Sequence, residues 1–214
     1  MESVEQLDLP VLQSRDSPHR RLWRIVMQTY RVFRYFAAAL LLFLCSASTL
    51  AAQNPRPTEY DVEAAYLFNF GKFVTWPQGG TSSRGPFTIC ILGADPFGPS
   101  LDTITAGEKI AGRAIIDRRI LHPQDALSCS ILYVSASEAE HLDKVLAAVR
   151  DAPVLTVSDI PGFIEHGGTI QFVLANGRVR FQVNLGAAQQ DGLGLSSELL
   201  KVADKVTRAG QEIQ

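Results

Sequence analysis

Three histidines, His122, His141 and His166, lie in the second half of the chain. No two stand at i, i+3 or i+4, the spacings that set a pair of metal ligands on one helix face. His141, beside Glu138 and Glu140, reads as a solvated helix residue. The segment Gly93-Ala94-Asp95-Pro96-Phe97-Gly98-Pro99-Ser100 follows an apolar run and opens a helical one. It fits the phosphate-binding pattern G-x-x-x-x-G-K-[ST] except at Pro99. The lysine that would reach the phosphates is missing there, and proline also removes a cradle N–H. Neither G-x-G-x-x-G nor the G-x-S-x-G nucleophile elbow occurs. The carboxylates lie mainly at helix starts and turns, Asp159-Ile160-Pro161-Gly162 among them, where capping accounts for them. No catalytic residue, metal site or cofactor is expected, and the reading favours a binding or regulatory module.

Two cysteines remain candidates for chemistry. Cys90 and Cys129 each border an apolar run, Phe87–Gly93 and Cys129–Val134, that reads as a buried strand. Their redox state depends on the compartment. Arg15, Arg20, Arg21, Arg24, Arg31 and Arg34 precede the apolar stretch Phe36–Cys45, and small residues follow to Ala52. That is the order of a secretory leader, residues 1–52, with Met27 as an internal start that would give a leader of ordinary length. Ten strongly apolar residues fall short of the about 20 a membrane span needs, so no span is expected after cleavage. An uncleaved anchor is the alternative, and Cys45 lacks the small preceding residue of a lipidation site. In an oxidising compartment Cys90 and Cys129 are expected to be bonded, the alternative being two free buried thiols. The bond would close a loop of about 39 residues and contribute roughly 4 kcal/mol in the chain-entropy picture.

The elements that position these residues follow from periodicity. Beyond the leader and a short tether, 53–58, residues 59–210 have the size of one domain. Of the chain's charges, 14 basic and 18 acidic residues lie after the leader, a net of −4 with no basic stripe. This composition excludes a nucleic-acid binder of the usual kind. Thr58 and Asp61 form a cap pair for a helix reaching towards Pro77, with Val62, Tyr66, Leu67, Phe70, Phe73 and Val74 on one arc. Strands are expected at 87–92, 113–120, 129–134 and 153–157. Helices are expected at 96–104 and 138–149, the latter burying Leu142, Val145, Leu146 and Val149, with a short helical turn at 160–164. Runs 169–174 and 178–183 flank Asn176-Gly177, the turn dipeptide of a hairpin. A last helix from Ser196 or Ser197 is expected to bury Leu199, Leu200, Val202, Ala203 and Val206. The fold class is α/β: a mixed central sheet with flanking helices, layered in a Rossmann-like way, ending in a β-hairpin and a helix.

Two groups stand outside this pattern. Phe68, Lys72 and Trp76 fall off the apolar arc of the first helix, where aromatic side chains anchor protein contacts; cover by a neighbouring loop is the alternative. Arg178, Arg180 and Asn184 alternate onto one face of the last hairpin strand, a partner or small-anion surface or a solvated one.

The segment Glu63–Pro77 (EAAYLFNFGKFVTWP) resembles the opening signature of the YfiR-like periplasmic regulators. The likeness continues through Phe87–Gly93, Cys129–Tyr133, Val154–Asp159, Gly167–Ile170, Arg180–Asn184 and Ser196–Leu200, covering nearly all of residues 60–206. The resemblance implies a periplasmic, non-catalytic protein. Such a protein binds and represses the periplasmic sensor region of an inner-membrane diguanylate cyclase, lowering cyclic di-GMP and biofilm formation. Cys90 and Cys129 match the family's structural disulfide; a second pair carried by some members is missing. The competing reading is a small-ligand-binding sensor component that partners a histidine kinase or other membrane sensor. Self-association as a homodimer fits either reading.

Overall fold

The computed structural model describes residues 30, 34, 57–77, 85–208 and 211–213. Apart from residues 30 and 34, the expected leader, with the Met27 start and Cys45, lies outside the described residues, as do the tether up to Arg56 and the Gly79–Ser83 loop. From Arg56 onward the chain is one compact unit. Its elements run α1 (Glu59–Phe73), β1 (Val74–Thr75), β2 (Phe87–Leu92), α2 (Pro99–Thr105), β3 (Lys109–Ile110), β4 (Arg113–Ile120) and β5 (Ile131–Val134). There follow α3 (Leu142–Val149), β6 (Leu155–Ser158), β7 (Ile170–Ala175), β8 (Arg178–Asn184), α4 (Leu185–Gln190) and β9 (Gly194–Leu195). Last come α5 (Ser197–Val202), β10 (Lys205–Arg208) and β11 (Gln211–Ile213).

Nine strands form one mixed sheet in the order β11-β10-β8-β7-β6-β5-β2-β4-β3, and β1 pairs separately with β9. Strands β4, β2, β5, β6 and β7 run parallel, whereas β7–β8 is an antiparallel hairpin. Asn176 and Gly177 both take positive φ (52° and 68°), the backbone that a tight two-residue hairpin turn demands. The central strands β2, β5 and β6 are buried on both faces, which is why they read as continuous apolar runs rather than alternating ones.

Alternation along the strands divides the core. Ile89, Ile91, Ile131, Tyr133, Leu155 and Val157 face α1. Cys90, Leu92, Leu132 and Val134 face α3, which meets them with Leu142, Val145, Leu146 and Val149, as its periodicity requires. Cys90 and Cys129 are disulfide-bonded, with Cα atoms 5.9 Å apart and both side chains fully buried.

α1 begins as its sequence dictates. The Thr58 hydroxyl accepts the Asp61 N–H at 3.2 Å, and the Asp61 carboxylate accepts the Thr58 N–H at 2.7 Å. Its buried face differs from the apolar arc: Glu63, Ala64, Leu67, Phe68, Phe70 and Gly71 are buried, while Phe73 is 41% exposed. The small residues decide the rotation. Gly71 lies so close to Ile110 and Phe87 that a methyl group there would collide with Ile110. The helix therefore turns its Ala64–Gly71 side, not its most aromatic side, to the sheet. Three further expectations are corrected. Residues 161–167 form hydrogen-bonded turns instead of a helix. The last helix ends at Val202, itself 60% exposed, so that Val206 belongs to β10. And β10 and β11 extend a sheet expected to end at the hairpin, while α4 is a helix that was not expected.

Candidate functional site

A cleft opens on the α3 side of the sheet. It holds about 460 Å³ and is bounded by the end of α3 (Leu146, Val149, Arg150), Thr156 of β6, the turn at His166-Gly167, and the Asn184–Asp191 segment through α4. Asn184 holds its rim together. Its side-chain amide donates to the Ile164 carbonyl at 3.0 Å, while its side-chain oxygen accepts the Ala187 N–H at 3.0 Å and caps α4. At the other end the Asp191 carboxylate accepts the Asp151 N–H at 3.1 Å, and Gln190 donates to the Asp151 carboxylate at 2.9 Å. Burial lifts the Asp191 carboxyl to about 6, against the pull of the Asp151 N–H. His166 Nδ1 lies 2.8 Å from Asp143 on α3. The cleft thus offers an apolar wall of Leu146 and Val149 beside cationic Arg150 and titratable Asp191. That is a composition for a small polar molecule with an apolar body.

A second polar group is closed. Glu63, on α1, is 1% exposed, and Tyr133, on β5, is fully buried. Asp159 follows β6 and accepts the Tyr60 hydroxyl at 3.3 Å. The Phe97 ring packs edge-on against both Tyr60 and Tyr133. Glu63 Oε2, Tyr133 Oη and Asp159 Oδ1 are buried without a hydrogen-bond partner among the described residues. Burial, reinforced by the Asp159 and Glu59 carboxylates, raises the Glu63 carboxyl to about 8, so that it stands neutral at pH 7. Burial likewise pushes the Tyr133 hydroxyl up. These groups lie at the carboxyl ends of parallel strands, but a wholly enclosed acid and phenol can couple to protons more readily than to a substrate.

The residues singled out in the sequence do not converge. Phe68 is buried, with the Lys72 ammonium 3.9 Å from its ring centroid. Trp76 is half-buried: its ring meets Phe87 edge-on at 5.0 Å, and its indole N–H donates to the Ser130 carbonyl at 3.2 Å. The off-core placement that marked these two aromatics as contact residues does not hold: α1 is rotated towards Phe68, and the helix expected to reach Pro77 ends at Phe73, so that Trp76 follows β1 and is not on the helix at all. Lys72 is exposed on the α1 side. Arg178 and Arg180 are exposed on the opposite side of the sheet, along the strand that leads to Asn184 in the cleft. The imperfect phosphate motif forms an ion-paired loop in which Arg119 Nε donates to Asp95 at 2.9 Å and Arg119 Nη1 to Asp102 at 2.6 Å. No group of three metal-ligating side chains occurs among the described residues. No described helix is long and apolar enough to cross a membrane.

Sequence reasoning missed Glu63, Tyr133, Asp159 and Asp191. A signal existed for Glu63, which stands one turn before Leu67 on the stripe that Ala64 and Gly71 define. Asp191 carries no such sign, since only the packing of α4 against the α3 end buries it.

A family profile described as YfiR/HmsC-like matches residues 60–204. No curated protein matches significantly. Among solved structures, a conserved domain protein from Vibrio cholerae O1 biovar eltor is similar at 12% identity and a TM-score of 0.47, over 69% of this chain and 60% of that one. An ABC domain in complex with L-Trp from Streptococcus pneumoniae is similar at 15% identity and a TM-score of 0.41, over 56% of this chain and 55% of the other. The chain therefore spans about 60% of the length of the first of these, and likenesses this distant carry no argument about its function.

Proposed function

The chain belongs to the YfiR/HmsC-like family, and on that footing we propose that it is a non-catalytic periplasmic regulator. It binds the periplasmic sensor region of an inner-membrane diguanylate cyclase and holds that enzyme inactive, lowering cyclic di-GMP and biofilm formation. The observation that supports this reading is the family match itself, which spans residues 60–204. The physical requirement is differential affinity: the regulator must bind the inactive form of its target more tightly than the active form. A swing from 1:99 to 99:1 in the target's states takes about 5.5 kcal/mol of such difference. Exposed Lys72, Arg178 and Arg180 are offered as contacts to the target. Since they lie on opposite sides of the sheet, one target domain would engage Lys72 or the arginine pair, not both.

Deleting the gene is expected to raise cyclic di-GMP and biofilm, and affinity-tagged protein is expected to co-purify with a single inner-membrane cyclase. Unchanged cyclic di-GMP in the deletion strain would overturn the proposal. The cleft favours a second reading, in which the protein senses a small solute and passes that state to a membrane partner such as a histidine kinase. Here a library of amino acids and nucleotides is expected to contain a compound that raises the melting temperature of the wild type but not of Asp191→Leu. A library without effect would count against this reading.

A further inference from the structure

The outer edge of β4 is open. β2 lines one side of β4 from Ile115 to Ile120, whereas β3 covers only Arg113 and Ala114 on the other. The Ile115 N–H points outward, donating to the Glu108 carbonyl at 3.3 Å. By the alternation of a strand, the N–H and C=O groups of Asp117 and Arg119 point outward too. No strand pairs with them among the described residues. Such an edge is a template for a further strand. It is flanked by exposed apolar side chains, Ile116 at 45% and Leu121 at 86%.

The sequence of the edge says which strand. Ile115-Ile116-Asp117-Arg118-Arg119-Ile120-Leu121 is self-complementary about Arg118. Laid antiparallel on a second copy of itself, it sets Ile116 against Ile120 and Asp117 against Arg119, while Ile115, whose outer side Glu108 holds, stays outside the pairing. Hydrogen bonding independently selects the same register, because only outward-pointing residues can exchange N–H···O bonds. Pairing Asp117 with Arg119 of the second copy brings two outward residues together, and the two-fold axis then passes through a non-hydrogen-bonded Arg118 pair. A slip by one residue in the pairing would oppose an outward group with an inward one. Of the two nearest registers that keep the parity, one opposes Asp117 to Asp117 and the other Arg119 to Arg119, both unfavourable. The chosen register leaves one like pair, Arg118 with Arg118. That side chain is exposed and turned to Ser128, to which it donates at 3.0 Å.

We propose that two copies of this protein associate by antiparallel pairing of their β4 edges, centred on Arg118, joining the two sheets into one across an isologous two-fold interface. Exposed Ile116 is covered by the pairing, exposed Leu121 comes to its rim, and Asp117 and Arg119 gain partners across it in addition to their contacts within the chain.

Sedimentation of the purified protein tests this. A concentration-dependent dimer is expected, and Ile116→Lys and Leu121→Lys, both at exposed positions, are each expected to raise its Kd by about tenfold or more. Circular dichroism melts of these variants separate lost pairing from lost folding. Air oxidation of Arg118→Cys is expected to yield a covalent dimer, since residues facing across a non-hydrogen-bonded antiparallel pair have Cα atoms about 4.5 Å apart. Ala114→Cys, far from the axis, should remain uncross-linked. A monomer at every accessible concentration would overturn the proposal. So would a dimer that both lysine variants leave intact and that Arg118→Cys does not cross-link.

Discussion

On the α1 face of the sheet, Tyr66, Phe70, Phe172 and Phe181 form a connected set of stacked and edge-on rings with centroids 5.1–6.0 Å apart. On the α3 face the packing is almost wholly aliphatic, and the Cys90–Cys129 bond ties β2 to the segment entering β5. Polar groups follow the same division. On the α3 face, buried hydroxyls are matched: Ser158 donates to the Val134 carbonyl at 2.7 Å, and the Thr156 and Thr169 hydroxyls meet at 3.0 Å. Among the described residues, the buried side-chain atoms left without partners, on Glu63, Asp117, Tyr133 and Asp159, lie on or beside the α1 face. A buried polar atom without a partner costs about 1–3 kcal/mol. The α1 face therefore holds a large aromatic gain against a local polar cost, whereas the α3 face is evenly satisfied and covalently closed. The face with the polar cost also carries the larger pH dependence, since the Glu63 carboxyl is raised to about 8 and that of Asp191, on the α3 side, to about 6.

The largest expected effect is on the aromatic side. Phe70→Ala should lower unfolding stability by about 3–5 kcal/mol, read from denaturant melts with the disulfide intact. If the loss is under a third of that, the rings do not act as one cluster. Replacing both cysteines by alanine should cost about 2–4 kcal/mol. The same melts check it, and if release from a partner follows reduction, the variant should also repress less well.

The pH dependence comes next in size. Glu63 holds its proton more tightly folded, where its pKa is about 8, than unfolded, where it is 4.5. Its contribution is fully present below the unfolded value and is lost as pH rises through the folded one. Across that window each pH unit removes up to about 1.4 kcal/mol. Urea midpoints at pH 5 and pH 8 should therefore diverge widely for the wild type and much less for Glu63→Gln, where the Asp191 carboxyl, raised to about 6, still titrates in the window. Equal slopes in both proteins would remove the polar cost from the comparison. The smallest effect is at Lys72: Lys72→Met keeps the aliphatic stem but removes the charge over Phe68, for a loss of about 0.5–1 kcal/mol.

Much of the α3 face was legible in advance. Leu142, Val145, Leu146 and Val149 repeat at helical spacing, and Cys90 and Cys129 each border an apolar run, so the packing follows from local pattern and both cysteines are marked as buried. The hairpin was equally plain, since Asn176-Gly177 meets a backbone requirement few other pairs meet. The α1 face departs from its apolar periodicity at Phe68 and Phe73, because Gly71 and Ala64 set the contact by permitting close approach. The cleft was legible only at Asn184, and there as part of a strand face.

Local pattern thus determined the cap of α1, the central strands, the hairpin and the family, because each depends on residues near in sequence or on a motif that is itself a sequence. The rotation of α1, the burial of Glu63 beside Tyr133 and Asp159, the cleft between α3 and α4, and the open edge of β4 were decided by tertiary structure. Each of these is set by how closely elements distant in the chain approach one another, and that distance is fixed by side-chain volume at the contact, which no period along the chain encodes.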